Sequence, residues 1–138
     1  SRSMSSKLLL STLFLISGFL MFEVCAQDIR KSGSIVARVE SNGDVRINGS
    51  IKGRFESNGG IRVAGSLQGN IDANGDIRKN GSIIGKIESN GDVRISGSLV
   101  GKIESNGTVR RNGSIIGSAT GVKMEYAAVL FFFDFFEI

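Results

Sequence analysis

From residue 29 to residue 122 the hydrophobic and polar positions recur with a period of 16 residues, through six consecutive units. Position 1 of the unit is Ile or Val, position 2 is Arg, position 7 is Ile or Leu, and position 11 is apolar. The units begin at Ile29, Val45, Ile61, Ile77, Val93 and Val109. A fixed period of this length is typical of a repeat protein in which each unit is one supersecondary element.

Two glycine turns divide each unit into a short strand around position 1 and a longer strand over positions 6 to 12. Asn-Gly between alternating apolar positions is a strong β-hairpin signal. We expect a three-residue loop at both turns, because that register places positions 1, 7 and 11 on one buried face. Arg of position 2 and the acidic residue of position 12 then lie on the other face. The glycines predicted to form the first turn are Gly33, Gly49, Gly65, Gly81, Gly97 and Gly113.

Six such units predict about twelve short antiparallel strands, which could form a meander or a β-solenoid. A solenoid would stack the six arginines directly on one another at ~4.8 Å. In a meander an arginine can instead lie beside an acidic residue of the neighbouring strand, which is favourable. We therefore predict an all-β fold in which six hairpins close into an antiparallel barrel, since closure removes exposed strand edges. The β-solenoid is the alternative.

The last sixteen residues, 123–138, break the repeat and are strongly apolar from Ala127 to Phe136, with five phenylalanines. This run is too short to span a membrane, which needs ~20 residues. We predict a hydrophobic helix packed inside the barrel, with a terminal β-strand as the alternative. A glycine within a strand often marks the close approach of another element. The glycines of position 9 expected to face this helix are Gly53, Gly69, Gly85, Gly101 and Gly117.

Residues 1–26 have the pattern of a targeting segment. Ser1, Arg2 and Ser3 precede the first Met and are interpreted as a cloning scar or a misplaced start. A short basic start and an apolar run follow, and Val24 and Ala26 suit a signal-peptidase site with cleavage after Ala26. A transmembrane anchor and a lipoprotein modified at Cys25 are the less favoured alternatives. We therefore expect an exported protein with a repeat domain over 27–122 and a helix over 123–138.

The composition argues against catalysis. The chain has no His, no Trp and one Cys, so a His- or Cys-based metal site and a disulfide framework are not expected. The serines of position 6 lie beside turn glycines and have no His partner, so we interpret them as turn residues. The acidic residues of positions 12 and 16 could bind calcium, but their short turns favour pairing with arginine instead. We predict no enzymatic activity, no cofactor and no metal.

The arginines of position 2 form the most regular charged feature of the chain. Over residues 29–122 there are 14 basic and 8 acidic residues. A row of guanidinium groups can bind anions, so lipid headgroups and acidic glycans are candidate partners. Nucleic acid is not expected, because of the predicted export and because Phe55 is the only aromatic residue in the repeats. The candidate anion-binding residues are Arg30, Arg46, Arg62, Arg78, Arg94 and Arg110.

The repeat spacing, the segment Gly81-Ser82-Ile83-Ile84-Gly85 and the tail AAVLFFFDFF resemble the β-flower family over residues 29–138. In shape the pattern also resembles the C-terminal domain of Tubby proteins. The first resemblance implies a hairpin-repeat barrel of unassigned function, and the second implies phosphoinositide binding, although no Tubby lipid motif can be matched to residues of this chain. The leading hypothesis is a non-enzymatic, exported structural or binding module. The alternatives are a lipid-binding module that uses the arginines, and a fibre or adhesin subunit.

Overall fold

The computed structural model describes residues 27–138, so the predicted signal peptide, its cleavage site and Cys25 lie outside the described residues. Twelve strands precede one helix, in agreement with the two strands predicted for each unit. The strands are β1 (Asp28–Lys31), β2 (Ser34–Val39), β3 (Asp44–Ile47), β4 (Ser50–Phe55), β5 (Gly60–Val63), β6 (Ser66–Ile71), β7 (Asp76–Lys79), β8 (Ser82–Ile87), β9 (Asp92–Ile95), β10 (Ser98–Ile103), β11 (Thr108–Arg111) and β12 (Ser114–Ser118). The helix α1 spans Met124–Phe132.

The strands form a closed antiparallel barrel in which each strand pairs with its neighbours in the chain. The ring closes where β1 pairs with β12. The predicted closed barrel of hairpins with a C-terminal helix is therefore confirmed, and the β-solenoid alternative is wrong. No helix within residues 27–138 is long and apolar enough to cross a membrane.

The loop between consecutive units has three residues, as the Asn-Gly spacing predicts. In the loop after β2, the Glu40 N–H donates to the Asp44 carbonyl at 2.8 Å, which leaves Ser41, Asn42 and Gly43 as the loop. Gly43 has a φ of 96°, a left-handed conformation that favours glycine. The Asn42 Oδ1 accepts the Asp44 N–H at 2.9 Å, so the asparagine orders the turn with its own side chain.

The loop within each hairpin has two residues, so the expected three-residue loop is wrong here. Ile47 pairs with Ser50, and the intervening Asn48 and Gly49 have φ of 52° and 85°. Positive φ at both residues is what a type I′ turn requires, and its twist matches that of the flanking strands. The glycines predicted for this turn occupy its second residue, Gly49 being the example.

A β-bulge reconciles the shorter turn with the buried face. Val45 pairs with Gly53 but Arg46 pairs with Ile51, which leaves Lys52 as an extra residue in β4. The same register shift recurs in all six hairpins. Because one extra residue reverses the alternation of side chains, position 7 lies outside while positions 1 and 11 stay inside. The prediction that position 7 is buried is therefore wrong.

The core is formed by positions 1 and 11 of the strands together with the tail. Every position 1 side chain is fully buried. From α1 the buried residues include Ala127, Ala128, Val129 and Leu130. The helix ends at Phe132 and is shorter than the segment 123–138 predicted from the sequence, because the chain turns extended at Phe133. Asp134 is exposed, and its backbone carbonyl accepts a hydrogen bond from Lys79 Nζ at 3.0 Å.

Five phenylalanines of the tail pack against the position 9 glycines, in the reverse order of the chain. A Cβ on Gly53 would lie 2.6 Å from the ring of Phe136, and a Cβ on Gly69 would lie 2.7 Å from the ring of Phe135. The remaining pairs are Gly85 with Phe133, Gly101 with Phe132 and Gly117 with Phe131. The rings that face Gly53, Gly69 and Gly85 come after the helix, so the glycines receive the tail as a whole.

Candidate functional site

The outer wall of the barrel carries the most regular polar arrangement of the molecule. Each position 2 arginine sits near the middle of a short strand and points outward, because position 1 beside it is buried. Arg46 Nε donates to Glu40 Oε2 at 2.7 Å, across the loop that precedes its strand. Its Nη1 donates to the carbonyl of the turn residue Gly49 at 3.1 Å. The guanidinium therefore links the two ends of the hairpin.

We call this pair of contacts, from one arginine to an acid and to a turn carbonyl, the brace. The brace recurs in the next four units. The salt bridges are Arg46–Glu40, Arg62–Glu56, Arg78–Asp72, Arg94–Glu88 and Arg110–Glu104. The Nη1 atom of each of these arginines also donates to the glycine carbonyl of its two-residue turn. Pairing of arginine with the position 12 acid was expected from the sequence, and the structure places the partner six residues earlier in the chain.

The brace at Arg78 shifts the pKa of both of its members. The hydrogen bond from Arg78, aided by one from Asn70, holds the pKa of the Asp72 carboxyl below its ordinary value. The same contact with Asp72 raises the pKa of Arg78. Each of the five braced guanidinium groups already donates to a carboxylate and to a turn carbonyl. An external anion would therefore have to compete with the Asp or Glu side chain that is paired with the arginine.

Arg30 differs from the other five arginines. Position 12 of the sixth unit is Thr120, so the residue that would complete the brace carries no charge. Within residues 27–138 Arg30 forms no salt bridge, although its Nη1 still donates to the Gly33 carbonyl at 3.3 Å. The six arginines thus form a ring with one incomplete member, located where β1 meets β12.

A second row of charges, not selected from the sequence, joins positions 10 and 16. Arg38 Nε lies 3.0 Å from Asp28 Oδ1, and Arg54 Nε lies 3.7 Å from Asp44 Oδ1. Lys86–Asp76 and Lys102–Asp92 repeat the contact at 3.6 Å and 3.7 Å. Positions 10 and 2 face each other across strands, as Arg38 and Arg46 do. Each of those two arginines has its own acid, which offsets the repulsion between them.

Six large apolar side chains stand on the same outer wall. We call them the apolar ring, and each residue is 52–61 % exposed: Ile35, Ile51, Leu67, Ile83, Leu99 and Ile115. Ile51 is the cross-strand partner of Arg46, so an apolar side chain and an arginine alternate around the wall. Sequence reasoning assigned these residues to the core, because their spacing from position 11 suits an uninterrupted strand. The β-bulge carries no constant residue type that would have corrected the assignment.

The two open ends of the barrel are concave. At the three-residue loops a cavity of about 390 Å³ is lined by Glu40, Phe55, Lys123 and Tyr126 among others. At the two-residue turns a cavity of about 690 Å³ lies beside Phe135 and Phe136. Across the part of the chain that the structure describes, no group of three or more Asp, Glu, Cys or His residues could hold a metal ion.

Comparison with known families identifies the kind of protein that carries this repeat. The family model described as "Bactofilin: Polymer-forming cytoskeletal" matches residues 48–127, which are 80 of the 138 residues. The chain belongs to the bactofilin family. The match begins in the two-residue turn of the second hairpin and ends in α1, so it covers most of the barrel of this bactofilin. No curated protein and no solved structure matches the chain.

The family assignment bears on the resemblances drawn from the sequence. It supports a repeat of hairpin type and a structural family, and it gives a different label from the β-flower name, which rests on pattern and shape alone. The bactofilin family is described as cytoskeletal and polymer-forming, which is a structural and not an enzymatic description.

Proposed function

We propose that this chain is a non-enzymatic structural subunit that assembles into a polymer with copies of itself. The proposal is supported by membership of the bactofilin family, which is described as polymer-forming and cytoskeletal. It corresponds most closely to the structural module and the fibre subunit among the hypotheses drawn from the sequence. The tail packs inside the barrel, and the outer wall carries the apolar and charged side chains through which a partner can be bound.

The apolar ring is the observation that carries the proposal. Six Ile or Leu residues, each more than half exposed, recur at one position of the repeat around the outer wall. Burying the exposed part of one such side chain contributes about 1 kcal/mol. The ring offers that contact in every direction around the wall. The alternating charges beside it are of both signs, so two walls can approach without net repulsion.

The test replaces all six apolar ring residues by threonine, which keeps the preference for strands. We expect the variant to fold, because these side chains contribute little to the core, and to stay monomeric where the unchanged chain assembles. Sedimentation velocity and electron microscopy measure assembly, and circular dichroism measures folding. The matched control replaces the six neighbouring serines of position 6 by threonine and should assemble normally. Equal assembly of both variants would contradict the proposal.

Membrane-surface binding is the second candidate, because the alternation of Ile or Leu with Arg favours a lipid interface as well. The measurement is co-sedimentation with vesicles that contain either neutral lipid alone or neutral and anionic lipid. A lipid-binding role requires stronger binding to the anionic vesicles, lost when Arg30 and its five counterparts become glutamine. Binding that is equal for both vesicle types and unchanged by these substitutions leaves self-assembly as the function.

A further inference from the structure

The junction between β1 and β12, which we call the seam, differs from every other strand junction in the barrel. The other eleven junctions join strands that follow one another in the chain, so a loop holds each pair together. At the seam the two strands are far apart in sequence and no loop connects them. Its ladder has one residue pair, Arg30 with Ser118. The corresponding ladder between β10 and β11 has three pairs.

The charged brace is also incomplete at the seam. Each of the other five junctions between units is crossed by a salt bridge from a position 2 arginine to a position 12 acid. At the seam the arginine is Arg30 and the residue at position 12 is Thr120. Such an exposed pair contributes little to stability by itself. The missing salt bridge nevertheless weakens the seam, as do the missing loop and the shorter ladder.

The first hairpin is also held differently by the tail. We call residues Asp28–Val39 hairpin one. In the other five hairpins a tail phenylalanine packs on the position 9 glycine. Hairpin one carries Ala37 at this position, so the tail supplies five such rings for six hairpins. Lys31 Nζ of hairpin one donates a hydrogen bond to the Ile138 carbonyl at the end of the tail, at 3.2 Å.

We infer that the seam is an interaction surface for a second copy of this chain. Hairpin one leaves its own β12 and pairs with the β12 edge of another copy. The inference rests on the proposed polymer-forming function and deepens it by naming the contact. The second copy fits because its β12 offers the same row of backbone groups and the same Ser118 partner for Arg30. The new ladder therefore repeats the one that was broken.

This contact has the geometry that a polymer needs. The edge of β1 on one copy meets the edge of β12 on the next, so a growing polymer keeps one free β1 edge and one free β12 edge, at its two ends. A head-to-tail contact of this type extends without limit unless the ring happens to close. Unpaired strand edges are ready templates for such addition. The closed monomer and the polymer contain the same kind of ladder, so protein concentration decides between them.

The first experiment detects the contact directly in the full chain with Cys25 replaced by serine. One preparation carries Arg30→Cys and a second carries Ser118→Cys, and the two are mixed under assembly conditions and then oxidised. Directly opposed Cα atoms lie about 4.5–5.5 Å apart in an antiparallel pair, within disulfide range. We expect the mixed disulfide between copies. The matched control mixes Lys102→Cys with Arg110→Cys, a pair in the same register within the β10–β11 ladder, and should give none.

The second experiment closes the seam. The double variant Arg30→Cys, Ser118→Cys is oxidised as a dilute monomer, and mass spectrometry verifies the cross-link. We expect it to lose the polymer peak in sedimentation and to recover it on reduction. The oxidised Lys102→Cys, Arg110→Cys variant should assemble in both states. A milder version supplies the missing acid: Thr120→Glu should lower the assembled fraction, whereas Glu104→Thr, which removes a brace beside a loop, should not.

The outcomes separate this inference from the function on which it rests. An unchanged chain that stays monomeric at every concentration overturns both. If the unchanged chain assembles, no mixed disulfide forms and the cross-linked double variant assembles equally well, the seam is not the contact. The proposed structural function then stands on the apolar ring alone.

Discussion

The ring of Phe136 packs against the backbone of Gly53, so the end of the chain and the second hairpin meet face to face in the core. A Cβ at Gly53 would lie 2.6 Å from a ring carbon and would also approach the Arg62 carbonyl oxygen. At the equivalent position of hairpin one, Ala37 is accommodated and is 3 % exposed. The Arg62 carbonyl oxygen is the nearest of these atoms, so a side chain at Gly53 would meet both the backbone of β5 and the Phe136 ring.

Replacement of Gly53 by alanine should destabilise the barrel by about 1–3 kcal/mol, the usual cost of overpacking a filled core. The free energy of unfolding in urea measures it. Ala37→Gly is the control and should cost at most about 1 kcal/mol, the entropic cost of glycine in a strand. In a Phe136→Ala background the effect of Gly53→Ala should shrink, because the ring is gone. Equal effects of Gly53→Ala with and without Phe136 would contradict this account of the packing.

The sequence predicts the architecture well because its strongest signals are local and repeated. A glycine at position 9 of five units and five phenylalanines in the tail indicate close packing between the two, although the order of pairing cannot be read from the chain. Asn42-Gly43 and its repeats predict the three-residue loops. Each of these features requires one type of residue at one position, and the repeat shows the same residue at that position in several units.

The register of each hairpin could not be predicted, because it depends on a bulge without a constant residue. Position 8 holds Lys52 in one unit and Ile84 in another, and both serve as the extra residue of a bulge. The resulting two-residue turn shifts Ile51 and its counterparts to the outside. The candidate site was consequently predicted in part. The arginines and their acidic partners were identified, and the apolar ring between them was assigned to the core.

The two-residue turns provide a test of this register. Ala64 has a φ of 53°, whereas the same position is asparagine in three other units, at Asn48, Asn80 and Asn112. Asparagine tolerates the left-handed conformation, which costs most other residues roughly 1–2 kcal/mol. Ala64→Asn should therefore raise the free energy of unfolding by up to about 1 kcal/mol. The reverse change Asn48→Ala should lower it by a similar amount, and a three-residue loop would predict neither effect.

The lowered pKa of Asp72 predicts a dependence of stability on acid. A carboxyl whose pKa is lower in the folded state stabilises the fold above its unfolded pKa, and this contribution is lost as the pH falls through the folded pKa. The melting temperature of the wild type should therefore decrease once the pH is lowered below about 4, where free aspartate becomes protonated. In Asp72→Asn the fall should be shallower. Asp134→Asn, whose carboxylate forms no salt bridge within residues 27–138, is the control and should keep the wild-type slope.

The predicted export can be tested at the boundary of the barrel. The Gln27 carbonyl accepts the Val39 N–H at 3.2 Å, and Asp28 forms a salt bridge with Arg38. Cleavage after Ala26 would leave both contacts intact, so the mature chain should fold as the full chain does. We expect a secreting host to release a protein whose intact mass corresponds to residues 27–138. Ala26→Lys should block processing, because the residue before the cleavage site must be small.

The alternatives give different results in the same measurement. Cys25→Ser should leave processing and release unchanged, whereas a lipoprotein would lose its anchor and its lipid mass. A chain recovered uncleaved in the membrane fraction would indicate that residues 1–26 act as an anchor. A chain recovered uncleaved and soluble inside the cell would contradict export altogether. The barrel would then have to assemble in the cytoplasm, with residues 1–26 still attached to β1 beside the seam.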